Sequence, residues 1–197
     1  MDRAIACVAV LPFALTILVV LLMRPILIEN LLLLINMALL TVTTVLRRPP
    51  ARVTMNPWFW VLAFFATYWP YLLWPLAGRG EPVVPRAWTI ALAALGLAIT
   101  VWARLSLGRN IGFVPAERQI VTTGAYRYMR HPIYTGVFVL ITATALANFN
   151  WLNLAANLTW AGLWIVKTFV EERFLRQSPA YAQYMTQVRW RWIPFVA

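Results

Sequence analysis

Six apolar runs, at roughly 4–23, 26–46, 57–77, 87–107, 133–148 and 151–170, leave this chain little freedom to build anything but helices across a membrane. A helix needs about 20 mostly apolar residues to cross a bilayer, within a range of about 17–25. In lipid every backbone N–H and C=O must find its partner inside the segment, which a helix provides. Apolar residues make up 62% of the chain and charged residues 12%, against roughly 25% charged in an ordinary soluble globule. The expected fold is therefore an all-α integral membrane bundle of about six transmembrane helices. The 197 residues read as a single membrane domain, with 1–86 supplying N-terminal helices. The first run lacks a basic leader beyond Arg3 and a small-residue cleavage site, so it reads as a span rather than a signal peptide. Glu29 and Asn30 sit near the start of the second run, at interfacial depth. Asn148-Phe149-Asn150 is a tight polar turn that makes runs five and six a helical hairpin. The fifth run is short, which leaves open a five-span count with a re-entrant element.

Orientation follows from the basic residues. With six spans and an inner N-terminus, 14 of the 17 fall inside. The outer side holds Arg24, Arg79 and Arg86. That split places both termini and the long 108–132 segment in the cytoplasm. The formal charge of +11 then reads as orientation and contact with anionic lipid. No nucleic-acid fold signature appears, and no obligate protein partner is implied. One cysteine, Cys7, and one histidine, His131, exclude an intrachain disulfide and an ordinary metal cage.

Gly108, Gly112, Pro115 and Gly124 mark 108–132 as loop. Beyond residue 170, Ser178-Pro179 reads as an N-cap followed by a first-turn proline, opening a short helix to about 188. Tyr181, Tyr184 and Met185 share one flank of it, and Trp190, Trp192 and Phe195 follow. These aromatics suit either an interfacial belt or a cytoplasmic C-terminal cover over a pocket.

The chemistry-bearing residues fall into two clusters separated by an almost uncharged hairpin. Arg130, His131 and Tyr134 open the fifth helix, and Lys167, Glu171, Glu172 and Arg173 close the sixth. Eighteen residues of helix from His131 to the turn at 149 span about 27 Å, and the return to Lys167 is similar. The hairpin thus sets both clusters level. Pro132 suits the first turn, whose free N–H groups and partial positive charge join Arg130 and His131 to attract a carboxylate or phosphate. Glu171 and Glu172 suit an ammonium or sulfonium, and Lys167 shares the helix face of Glu171. A zwitterion would satisfy both sides. Taken singly, Arg130-His131 reads equally as a membrane anchor, Lys167 as a snorkelling partner of Glu171, and the acids as a solvated helix end. Acids at a helix C-terminus oppose the helix dipole, and only six occur in the chain, so their pairing here suggests a task.

The block Gly124-x-Tyr126-x-Tyr128-x-Arg130-His131-Pro132-x-Tyr134-x-Gly136, followed by Glu171-Glu172 with Leu175, Tyr181, Tyr184 and Arg191-Trp192-Ile193-Pro194, resembles the isoprenylcysteine carboxyl methyltransferase family. Those membrane enzymes are related to phospholipid N-methyltransferases. The resemblance covers roughly 100–197, within a core of 87–197. It implies S-adenosylmethionine as cofactor, bound by Arg118, Gln119, Ile120, Val121, Tyr126, His131, Pro132, Ile133, Tyr134 and Glu171 under the C-terminal cover. It also implies that the residue four before Glu171 meets the acceptor. The family has Arg there and this chain has Lys167, which keeps the charge without the bidentate fork. The resulting expectation is methyl transfer to a lipophilic acceptor, with Lys167 and Glu171 closest to the chemistry. His131 and the helix start would hold the cofactor carboxylate, and Glu171 its amino group. No GxGxxG follows a strand, which excludes the soluble dinucleotide-type methyltransferase. A membrane NADPH-dependent reductase of the sterol reductase type, whose chains carry a similar HPxYxG block, and a non-enzymatic scaffold are the competing readings.

Overall fold

The computed structural model describes residues 27–77 and 80–195, together with Ile17. The predicted first span therefore lies outside the described residues but for that one position. Among the described residues, six α-helices follow in order: α1 (Ile28–Val45), α2 (Pro57–Ala77), α3 (Arg86–Leu107), α4 (Pro132–Ala147), α5 (Trp151–Leu175) and α6 (Pro179–Gln187). The bounds of α1 to α4 fall close to the apolar runs, α5 continues past the run that ends at 170, and α6 lies outside them. Helices α1 and α3 are long and apolar enough to cross a membrane, while α4 is shorter at 16 residues. Large apolar side chains such as Leu31, Ile35, Val42, Leu95, Leu105 and Ile165 face outward, as a lipid solvent requires.

The hairpin α4–α5 is present, with Asn150 capping α5 by accepting from the Asn153 amide at 2.8 Å. Its two helices, however, find their main partners elsewhere: α4 lies along α3, and α5 packs against α2. Glycine decides the first pairing. A Cβ on Gly96 would stand 2.7 Å from the Gly136 carbonyl, and one on Gly136 would stand 2.7 Å from the Gly96 carbonyl. Small residues at a crossing let membrane helices approach backbone to backbone. The second pairing rests on a proline. Pro70 has no N–H to give to the carbonyl four residues back. That carbonyl belongs to Ala66, and it accepts instead from the indole Nε1 of Trp160 at 2.9 Å and of Trp164. The tryptophans complete a core with Leu33, Met37, Tyr68 and Leu140.

The 108–132 segment is more ordered than its glycines and prolines predict. A strand β2 (Ala116–Glu117) pairs antiparallel with β1 (Arg52–Val53), in register Arg52 with Glu117 and Val53 with Ala116. Short 3-10 turns occupy Gly108–Asn110 and Gly124–Arg127. Gly124 has φ 60°, and a Cβ there would run into the Ser106 hydroxyl, which accepts from the Ala125 amide at 3.1 Å. That glycine lets the loop turn tightly against the end of α3.

Candidate active site

An open cavity with an empty volume of about 1220 Å³, its mouth included, lies between α1, α2, α4 and α5 and under α6. Of the residues singled out in the sequence, Arg118, Gln119, Ile120, Val121, Tyr126, Arg130, His131, Ile133, Tyr134, Lys167 and Glu171 border it. Pro132 and Glu172 do not. Pro132 is fully buried at the first position of α4. Glu172 follows Glu171 by one residue, which on a helix turns its side chain about 100° away.

Glu172 is consequently no ligand for a cofactor ammonium in this geometry. It holds the chain's own cations. Its Oε1 accepts from Arg130 Nε at 2.7 Å and lies 3.2 Å from His131 Nε2, while Oε2 accepts from Arg191 Nε at 3.0 Å. Glu172 lies past the apolar run that ends at 170. Burial raises its carboxyl, but hydrogen bonds to His131 and Arg130 outweigh burial and hold it down at about 2. The sign follows: a depressed carboxyl stabilises above its ordinary value of 4.5 and loses that contribution as pH falls toward 2. The Glu172 contribution to docking of the C-terminal segment is thus expected to be present above its ordinary value and to be lost between about 4.5 and 2. Hydrogen exchange of residues 179–195 across that range measures it.

Arg130 is equally committed. Its guanidinium donates to the carbonyls of Val188 at 2.7 Å and Arg189 at 2.6 Å. The Arg130 amide donates to Trp190 O at 2.9 Å, the His131 amide to Arg191 O at 2.8 Å, and the Thr135 hydroxyl to Trp192 O at 2.5 Å. Residues 188–192 therefore run as a strap across the start of α4. The expected anion corner changes accordingly: Arg130, the two preceding amides and His131 Nε2 serve the strap. The Ile133 and Tyr134 amides remain as first-turn donors with no acceptor within their helix.

The cover itself is built from tyrosines. Ser178 stands at the N-cap of α6 and Pro179 opens it, though the serine side chain makes no capping bond. Tyr181 and Tyr184 are buried against Ala103, Ala125 and Tyr126, and Tyr184 donates to the Tyr126 carbonyl at 2.7 Å. Burial pushes the phenols of Tyr126, Tyr181 and Tyr184 well up, so they stay protonated. Tyr181 OH and the cavity-lining Asn36 Oδ1 are buried without a hydrogen-bond partner among the described residues.

The two predicted catalytic residues have different surroundings. Glu171 accepts a short hydrogen bond from the Tyr134 hydroxyl. Lys167 is only 5% exposed, and its ammonium sits 5.1 Å from the Trp164 ring centroid, 5.3 Å from Tyr134 and 5.9 Å from Phe113. It forms no ion pair with Glu171. Ring faces stabilise the cation by their quadrupoles while leaving it available to an anion in the cavity. The level arrangement expected from the hairpin is present, since Tyr134 meets Glu171 and His131 meets Glu172.

Sequence reasoning did not single out Asn36, Thr67, Arg104 or Phe113, all of which border the cavity. A signal existed for two of them. Asn36 interrupts an apolar span near its middle, and Arg104 stands inside the last turn of another. Phe113 and Thr67 look ordinary until the loop and α2 fold over the site.

Residues 85–183, just over half of the 197, match a family described as Phospholipid methyltransferase. No curated protein matches the chain. The matched region begins at α3 and ends within α6, so among the cavity-lining residues it leaves out only those of α1 and α2 and Tyr184.

Proposed function

Because the chain belongs to the phospholipid methyltransferase family, we propose that it is a multi-pass membrane enzyme that moves a methyl group from S-adenosylmethionine to a lipophilic acceptor. One observation carries the reading: a single cavity joins a carboxylate, a helix start and a ring-caged ammonium to an apolar interior. The donor set fits the cofactor. Glu171 has one hydrogen-bond partner and faces the cavity, as an ammonium ligand should. The Ile133 and Tyr134 amides offer N–H groups to a carboxylate at the α4 start. Tyr181 OH supplies a buried group in want of a partner, and the Tyr126 and Tyr134 rings suit a sulfonium.

S-adenosylmethionine supplies, when bound, an electrophilic methyl open to in-line displacement. The protein's own part is alignment and exclusion of water, for which holding donor and acceptor within near-attack distance contributes most. Glu171 fixes one end, with the Tyr134 hydroxyl holding that carboxylate in place. Lys167 positions the acceptor head. Met37, Leu40, Val137 and Ile141 line the deep end and receive an apolar tail. The cytoplasmic placement of both termini and of 108–132, expected from the basic residues, puts cofactor entry on the cytosolic side and acceptor entry within the bilayer.

Calorimetry with S-adenosylmethionine and S-adenosylhomocysteine, on protein in lipid, tests the reading. Glu171→Gln is expected to weaken both by about ten- to a hundredfold, since a hydrogen bond to a charged group contributes about 1.5–3 kcal/mol. Lys167→Ala is expected to leave cofactor affinity nearly unchanged and to lower turnover. Lys167→Arg rescues turnover if the acceptor head is a carboxylate, because the fork replaces the point charge. No heat with either ligand, or the reverse pattern between the two positions, overturns the assignment.

A further inference from the structure

Helix α1 carries one polar side chain into the cavity at mid-span. Asn36 is 3% exposed, borders the cavity beside Met37 and Leu40, and its Oδ1 is buried with no hydrogen-bond partner among the described residues. A primary amide has two donors and two acceptor lone pairs. Left unmatched in a hydrocarbon environment it is costly, so polar side chains at such depth are paired or functional. Thr67 of α2 borders the same cavity. Its hydroxyl donates to the Ala63 carbonyl at 2.7 Å, which leaves its oxygen lone pairs as acceptors. The Trp160 and Trp164 indoles that also border the cavity donate to the Ala66 carbonyl, and the remaining polar groups belong to the 108–131 segment and its flanks, the cover or the Tyr134–Lys167–Glu171 end. Asn36 of α1 and Thr67 of α2 therefore offer unspent polar atoms on two walls of the cavity, away from the Lys167–Glu171 end.

We propose that Asn36 and Thr67 are a specificity station that recognises a hydroxyl on the hydrocarbon tail of the acceptor, so that the natural acceptor is a lipophilic alcohol at its tail as well as a methyl-accepting head. A hydroxyl matches the pair chemically. It donates to the amide or threonine oxygen and accepts from the amide NH₂. A plain alkyl or isoprenoid tail leaves the amide unmatched and its binding correspondingly weaker. The assignment rests on the reading of the cavity as an acceptor site, and it adds to that reading the chemistry of the tail.

The test uses full-length protein in nanodiscs and paired dodecyl probes bearing a thiol, a carboxylate or an amine. Each head is used with a plain chain and with a hydroxyl at mid-chain or at the chain end. The first readout is thermal stabilisation by each probe with no cofactor present, and the second is transfer of a radiolabelled methyl group. The expected result is half-maximal stabilisation by one hydroxylated isomer at about tenfold lower concentration than by its plain partner, the scale of one net hydrogen bond. Asn36→Leu, apolar and matched in heavy-atom number and branching, is expected to abolish that preference while keeping the plain-chain response. Thr67→Val is expected to reduce it and serves as the second variant should Asn36→Leu fold poorly. Equal responses to plain and hydroxylated probes in the wild type, or a preference that survives both variants, overturns the proposal. A preference without methyl transfer to any head upholds the station and removes the enzymatic reading. Methyl transfer without a preference does the opposite.

Discussion

Glu172→Ala is expected to release the C-terminal cover and, with it, most of the cofactor affinity. The variant leaves Arg130 and His131 buried with no carboxylate between them, and Arg191 loses its anchor. Removing one partner of a buried ion pair costs about 3–5 kcal/mol. In the docking equilibrium that is roughly a hundred- to several-thousand-fold. The arginine bonds to Val188 and Arg189 carbonyls and the two strap amides remain. The strap should therefore loosen rather than the helices unfold. Hydrogen exchange separates the two: protection is expected to fall across 179–195 and to persist in α3 and α4. Glu172→Gln keeps hydrogen bonds but no charge, and should fall between. Unchanged protection of 188–192 in Glu172→Ala would show that the backbone pairing alone holds the cover.

The second large effect is expected at Gly136. A methyl group there meets the Gly96 carbonyl at 2.7 Å and the Thr100 amide nitrogen at 2.7 Å. Both contacts are to backbone, so a side chain cannot swing aside and the helices must separate. Overpacking costs about 1–3 kcal/mol, with backbone contacts at the upper end. For a chain of this size about 3 kcal/mol lowers the melting temperature by about 6–12 °C. Gly162 is the control, since a Cβ there meets nothing within 4 Å and the position is exposed on α5. Gly162→Ala should hold or slightly raise stability, as alanine is the better helix former by about 1 kcal/mol. Thermal unfolding in one lipid composition compares the two, and similar losses in both would mean that glycine flexibility rather than the α3–α4 contact matters.

The glycine pair also shows where reading a sequence stops. Gly136 belongs to the block that marks the family, yet nothing along the chain tells why that position tolerates only hydrogen. Gly96 lies 40 residues away inside an apolar run, and only the packed pair gives the reason. Pro70 is similar. Its missing N–H was visible, but that the orphaned Ala66 carbonyl would take two tryptophan indoles from α5 required the helices to be placed.

Much of the rest was written locally. Helix bounds follow from apolar length, the hairpin turn from its asparagines, and the start of α6 from Ser178-Pro179. Of the cavity-facing set, His131, Tyr134, Lys167 and Glu171 were legible because residue spacing in two antiparallel helices fixes height, whereas Arg118 to Val121 and Tyr126 came only from the family resemblance. Height is a local property: rise per residue times number. Rotation and partner choice are not. Whether Glu171 or Glu172 faces the cavity depends on how α5 is turned against α2. Whether Arg130 meets a ligand or a strap depends on the chain returning to it at Val188, 58 positions on. Asn36 and Thr67 border one chamber only because α1, α2, α4 and α5 close around it. The sequence by itself determined which segments are apolar helices, how long they are and which residues share a level. The tertiary structure decided which of those residues face one another, because burial and charge pairing act between segments whose mutual rotation no local pattern encodes.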